Sequence, residues 1–368
     1  MDYSRDLKYQ LALSLIPGIG SVNAKSLVAY LGSVESVFHA SEKVLKKVPG
    51  IGEVLARNII AHQLTERAEE EIHFMQSHQI RASFYLDDNY PMRLKRCVDA
   101  PLVLFSTGHI NFNETKMVAL VGTRNATDYG RKFCDDLVAG MAQRGGYCVV
   151  SGLAYGIDVA AHKACLKYQV PTIGVLAHGL DQVYPALHKS VAQKMQENGG
   201  LVSDFMNRTK IDRQNFLRRN RIIAGLADAT VIVESAEKGG SLVTADIADS
   251  YNRDVFAVPG RSSDTYSRGC NALIRESKAN LIESLDDLEY FMSWQPQIDK
   301  PRKIQRQLFV ELLPDEQKIV DLLGDAPVYI DQLCQLAGMP MGKVSSILLG
   351  LEFNGLVASL PGKMYRLS

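Results

Sequence analysis

The sequence predicts an α/β protein with a mostly parallel sheet, preceded by a helical domain and followed by a winged helix. Three observations carry this. From about Ser83 to Ser293, short apolar runs ("LVLF", "MVALVG", "YCVVSG", "TIGVLAHG", "LVSDF", "TVIVES", "DVFAVPG") alternate with amphipathic stretches, as buried strands do between crossover helices. Residues 1–82 instead repeat apolar side chains every three or four positions, the helical period. Residues 312–368 read as helix, helix, glycine turn, helix and hairpin, the layout of a winged helix-turn-helix.

In chain order, "LKYQLALSLI", "VNAKSLVAYL", "SEKVLKKV" and "EVLARNIIAHQ" are the first helices, with glycines in the turns between them. Two of those turns are the same tetrapeptide, PGIG, at Pro17–Gly20 and Pro49–Gly52. Each is followed by a helix bearing alanine and a basic residue (Ala24–Lys25, Ala56–Arg57). This is helix-hairpin-helix grammar, in which backbone N–H groups face a DNA phosphate. A pair of helix-turn units packed on each other and binding nothing has the same pattern. The stretch 294–311 is polar and proline-containing and reads as a linker.

Composition narrows the function. The 41 basic and 41 acidic side chains cancel, so any nucleic-acid site is a local patch. Six widely spaced cysteines include no C-x-x-C pair, which argues against zinc and suits a reducing, cytoplasmic compartment. No uninterrupted apolar run reaches the ~18 residues of a membrane span.

Four loops in the middle region carry the chemistry. In "VALVGTRNATDYG" an apolar strand runs into Gly122, Thr123 and Arg124 before a helix, where doubly wound sheets hold anions. Neither a dinucleotide fingerprint nor a Walker lysine is present. Arg124 offers a fork-shaped, permanently charged contact to phosphate; alternatively it pairs with a surface carboxylate and Gly122 only makes the turn. "CVVSGLAYGIDVAAH" repeats the arrangement with Ser151 and Gly152. His162, on the helix behind, has no cysteine or histidine at ligand spacing and reads as a packing or capping residue. "NRTKIDRQNFLRRNR" holds Arg208, Lys210, Arg213, Arg218, Arg219 and Arg221 against one acid, Asp212, with Phe216 among them. Cations that track phosphates beside a ring that stacks on a base are what single strands call for; a solvated helix start with Phe216 in the core is the other reading. Gly240 and Ser241, in "EKGGSLVTADI", open one more helix.

Taken in order, "VGTR", "SGLAYGID..AAH", "GLDQVYP", "RNRIIAGLADATVIVE", "GGSLVTA" and "DVFAVPG" closely resemble the DprA family, also called Smf or DNA-processing protein A, along essentially the whole chain. The resemblance implies an extended Rossmann-like domain over 83–293 that binds single-stranded DNA, usually as a homodimer. It implies a hand-over of strands to the RecA recombinase in natural transformation, with no catalytic activity, cofactor or metal. Carried over by motif, the phosphate pocket comprises Gly122, Thr123, Arg124, Ser151, Gly152, Arg219, Asn220, Gly240 and Ser241. Arg213 stands where the family has a lysine or arginine three residues before a phenylalanine, here Phe216, and Arg221 completes the basic stretch. Three positions depart: Leu217 replaces the proline of "FPxRNR", His188 stands where asparagine is common, and "RESKA" (Arg275–Ala279) lacks the usual glycine.

Two other readings compete. Related Rossmann-like sheets hydrolyse nucleoside monophosphates with a "PGGxGTxxE" motif, but here Thr244 is followed by Ala245 and Asp246, and no general acid–base pair is evident. A winged-helix transcription regulator would need base-reading side chains, and "MGKVSSILLGLEF" offers only Lys343.

Overall fold

The computed structural model describes residues 5–62, 66–295, 312–324, 327–360 and 363–367. It divides into two compact units, Met1–Gln295 and Pro296–Ser368. Most of the expected linker lies outside the described residues. Trp294, at its start, instead belongs to the first unit: it packs edge-on against Tyr147 at 5.9 Å, and its carbonyl accepts from Lys116.

Six helices open the chain: α1 (Arg5–Leu15), α2 (Ser21–Leu31), α3 (Val34–His39), α4 (Glu42–Leu45), α5 (Glu53–Ala61) and α6 (Glu66–Ser77). Leu11, Leu13 and Leu27 are fully buried between them, and each such side chain contributes roughly 1.5–3 kcal/mol. The same core takes in Phe84, Leu102, Val103 and Phe105, so these helices pack onto the sheet that follows. The first PGIG turn packs on the helix that follows the second, with Asn58 Nδ2 of α5 donating to the Pro17 carbonyl at 3.0 Å. The basic residues after the two turns are engaged: Lys25 donates to the Val98 carbonyl, and Arg57 pairs with Glu53.

A nine-stranded sheet follows, built from β1 (Arg81–Phe84), β2 (Val103–Gly108), β3 (Lys116–Val121), β4 (Tyr147–Ser151), β5 (Thr172–Val175), β6 (Gly199–Ser203), β7 (Ala229–Ile232), β8 (Asp254–Ala257) and β9 (Asn280–Leu281). The spatial order is β1-β2-β6-β5-β4-β3-β7-β8-β9. Strands β6 to β9 run parallel, while β1 and β2 form an antiparallel edge. The connecting helices are α7 (Met92–Lys95), α8 (Asp128–Arg144), α9 (Ile157–Tyr168), α10 (Lys189–Met195), α11 (Arg213–Leu226), α12 (Gly240–Ser250), α13 (Arg268–Arg275) and α14 (Leu285–Phe291). α7, α11, α12 and α13 cover one face and α8, α9 and α14 the other. Both faces of the central strands are therefore buried, which is why they read as continuous apolar runs.

Val118 of β3 pairs with Val149 on one side and Ala229 on the other. The chain winds outward from β3 through β4, β5 and β6, then returns to lay β7 along the other side. Strand order reverses there, and in open α/β sheets ligands bind at the carboxyl ends beside such a reversal.

The second unit holds α15 (Pro314–Leu322), β10 (Val328–Tyr329), α16 (Ile330–Ala337), α17 (Met341–Phe353), β11 (Val357–Leu360) and β12 (Met364–Leu367). Its sheet order is β10-β12-β11, a winged helix with α17 as the second helix of the turn. Lys343, the one basic residue of α17, pairs with Asp315. Among the described residues, no helix is long and apolar enough to cross a membrane.

Candidate nucleic-acid interface

At the strand-order reversal a cavity of about 410 Å³ opens between the loops after β3, β4 and β7 and the first turns of α11. Gly122, Thr123 and Arg124 come from the first loop, Asp158 from the start of α9, Gly240 and Ser241 from the start of α12, and Arg213, Phe216, Arg219 and Asn220 from α11. The β3 loop is held in place by its backbone: Thr123 N–H donates to the Glu234 carbonyl at 2.7 Å, and Ile157 N–H to the Thr123 carbonyl at 3.1 Å. Gly156 makes the second contact possible. Its φ is +79°, and a Cβ there would lie 2.1 Å from the Thr123 oxygen, so both conformation and space require glycine.

The anion-attracting groups are those not already committed. α12 begins at Gly240 with no side-chain cap on its N-terminus, where the first N–H groups lack intrahelical partners. The Ser241 hydroxyl is engaged, donating to Ser235 Oγ at 3.0 Å. Arg124 is exposed, with its guanidinium 5.4 Å from the Phe216 ring centroid. No ion pair with a carboxylate holds it among the described residues, so the surface-pair reading of Arg124 finds no support. Arg213, the first residue of α11, is exposed beside it. Leu217 replaces a proline and keeps its N–H for the helix, and α11 runs unbroken from Arg213 with Asp212 capping Gln214 at 2.7 Å. Phe216 is thereby held in the first turn, half-buried.

Arg219 forms the floor. It is 3% exposed, donates to the Gly152 carbonyl at 2.7 Å and to the Val175 carbonyl, and lies 5.9 Å from the opposite partner, the Phe216 ring. Burial lowers its pKa to about 10 against the pull of Asp158, which leaves it charged at neutral pH. Burial likewise raises the Asp158 pKa, with Arg219 opposing. In both groups desolvation outweighs their mutual attraction, as is common for ionised side chains removed from water.

Three expected site residues stand elsewhere. Ser151 is wholly buried, and its hydroxyl donates to the Leu120 carbonyl at 2.6 Å, because it is the last residue of a central strand. Gly152 is buried behind the wall; a Cβ there would meet Arg219 Nη2 and Asp158 Oδ2, each at 2.6 Å. It makes room for the floor and does not line the cavity. Arg221 points away, donating to Asp204 and to the Asp99 carbonyl, since two helical positions rotate it by roughly 200° from Arg219. The basic stretch is thus not one patch: Arg208 pairs with Glu70, and Arg218 lies over Phe205. The exposed cation toward the cavity from this stretch is Arg213.

His162 is a packing residue, as its spacing suggests. Thr172 Oγ1 donates to the Val149 carbonyl at 3.0 Å and therefore accepts from His162 Nδ1–H at 2.8 Å. Nε2 is left buried without a partner among the described residues, and burial lowers the pKa to about 3. The unfolded chain binds the extra proton first, so this contribution is complete above about pH 6.5 and is lost as pH falls toward 3. Urea titrations at pH 7 and pH 5 should give a wild-type stability loss exceeding that of His162→Asn by about 2 kcal/mol. Equal losses would contradict this placement of the ring.

Comparison with known proteins agrees with this architecture. Residues 81–293 match the model of DNA recombination-mediator protein A, 310–363 that of the DprA winged helix domain, and 11–62 a SAM-like helix-hairpin-helix tandem. Protein Smf of Synechocystis is 31% identical, over 97% of this chain and 98% of that one. The X-ray structure of DNA processing protein A from Streptococcus pneumoniae is 28% identical and superposes with a TM-score of 0.66, over 79% of this chain and 98% of that one. DNA processing protein A from Helicobacter pylori, whose structure addresses its single-stranded DNA binding mode, is 27% identical with a TM-score of 0.53, over 59% and 96%. With a nine-stranded mostly parallel sheet, a tandem hairpin before it and a winged helix after it, this chain belongs to the DNA recombination-mediator protein A family, DprA/Smf.

Proposed function

We propose that the cavity at the strand reversal binds single-stranded DNA with little sequence preference, and that the chain passes such strands to RecA in natural transformation. The observation that carries the binding site is the meeting of Arg124, Arg213, the uncapped start of α12 and the Phe216 ring in one cavity. Cations and helix N–H groups hold phosphate, and a ring holds a base face; neither reads base edges. The pocket residues Gly122, Thr123, Arg124, Arg213, Phe216, Asn220, Gly240 and Ser241 make up this site, on the floor supplied by Arg219. Family membership supports RecA as the partner, the homodimer and a cytoplasmic setting.

A non-enzymatic role fits the carboxylates. Asp158 is the sole acid among the described residues lining the cavity, and Asp246 is exposed on α12 outside it. This arrangement supports the non-enzymatic reading, since general acid–base catalysis relies on a paired donor and acceptor. Release of adenine from AMP by the purified chain would revive the nucleotide-hydrolase reading. α17 offers duplex DNA a single basic side chain, Lys343, which is paired with Asp315.

The test is anisotropy of a labelled dT oligomer across a salt series, followed by RecA ATPase on strands coated with single-strand-binding protein. Affinity should fall with salt at a log–log slope of roughly −0.7 per phosphate neutralised, and Arg124→Ala should reduce that slope by about 0.7. Addition of the chain should shorten the RecA lag. Salt-independent binding would count against the phosphate site, and an unchanged lag against RecA loading.

A further inference from the structure

Tyr184 lies between β5 and α10, outside the loops that build the cavity, and is 41% exposed. Its ring stands edge-on to Phe216, with centroids 5.9 Å apart and planes at 64°. Phe216 lines the cavity and carries the Arg124 guanidinium 5.4 Å from its centroid. The half-buried Phe216 ring therefore has the Arg124 guanidinium and the exposed Tyr184 ring as neighbours. An aromatic left half in water forgoes much of the burial that favours such side chains inside. The neighbouring Pro185, by contrast, is buried.

We propose, resting on the single-strand reading above, that Tyr184 is a second stacking surface for a nucleobase and that the Tyr184–Phe216 pair confers selectivity for single strands over duplex. Phosphate contacts alone do not discriminate strongly, because both forms of DNA carry the charged backbone. Base faces are accessible only when a strand is unpaired and its bases are splayed. Two rings inclined at 64° engage two bases only if those bases leave their parallel stack. A duplex holds them in it.

The experiment uses the full chain, with Tyr184→Ala and Tyr184→Phe, against three probes: a dT oligomer, an abasic oligomer of equal length and a duplex of equal length. Tyr184→Ala should lose about tenfold affinity for dT and nothing for the abasic strand or the duplex, whereas Tyr184→Phe should keep dT affinity within about twofold. Equal loss on the abasic strand would mean that the ring only props up α11, and would overturn the proposal. So would unchanged dT binding by Tyr184→Ala under conditions where Arg124→Ala binds weakly, an outcome that leaves the cavity assignment standing. A wild-type chain that binds no dT oligomer would defeat the single-strand reading itself, and this inference with it.

Discussion

Arg219→Ala should lower the unfolding free energy of the first unit by about 3 kcal/mol, and dT binding should fall with it. The guanidinium is 3% exposed and satisfies two backbone carbonyls, those of Gly152 and Val175, at the ends of β4 and β5. Alanine leaves both acceptors buried without that donor, each at a cost of roughly 1–3 kcal/mol. It also removes the cation that opposes the desolvation of Asp158. Urea denaturation followed by circular dichroism measures the effect. A variant as stable as wild type would mean that Arg219 is not the floor of the site.

The second large effect is of a different kind. Arg124→Ala should leave stability within about 0.5 kcal/mol of wild type, because the side chain is exposed and its one described contact is the face of Phe216. Affinity for a dT oligomer should nonetheless fall roughly 10- to 100-fold, the loss of one charge-assisted contact worth about 1.5–3 kcal/mol. The two arginines should thus separate a residue that builds the cavity from one that, in the proposed site, contacts phosphate. Charge counting along the sequence treats them alike.

Much of the fold is legible in the chain because its signals are local. The apolar runs of β3, β4 and β7 mark strands buried on both faces, and the two PGIG turns mark a tandem hairpin whatever it contacts. The loops that converge on the cavity follow from a rule about where such sheets bind, so Arg124, Phe216 and Gly240 were within reach of sequence reasoning. What was not legible depends on rotation and on distant partners. Arg219 and Arg221 differ by two positions, yet one is buried under the cavity and the other faces Asp204. Only the helical phase of α11 and the position of β6 separate them. Ser151 lies in a glycine-turn motif but, as the last residue of its strand, turns its hydroxyl to Leu120. Tyr184 carries no motif of its own that points to a ring contact. Its proximity to Phe216 exists only once β5 and α11 are packed side by side. The 1–82 division suggested by periodicity is also softened by packing, since Phe84 and Phe105 share a core with Leu11 and Leu27.

The most direct test of the site is a competition assay on wild type and Arg124→Ala, in which a labelled dT oligomer is displaced by unlabelled single strand or by duplex of equal length. Single strand should displace the label from wild type at least about tenfold more effectively than duplex, and Arg124→Ala should hold the label about tenfold or more weakly while remaining folded. Equal displacement by duplex, or an Arg124→Ala chain that binds as tightly as wild type, would contradict the proposed site.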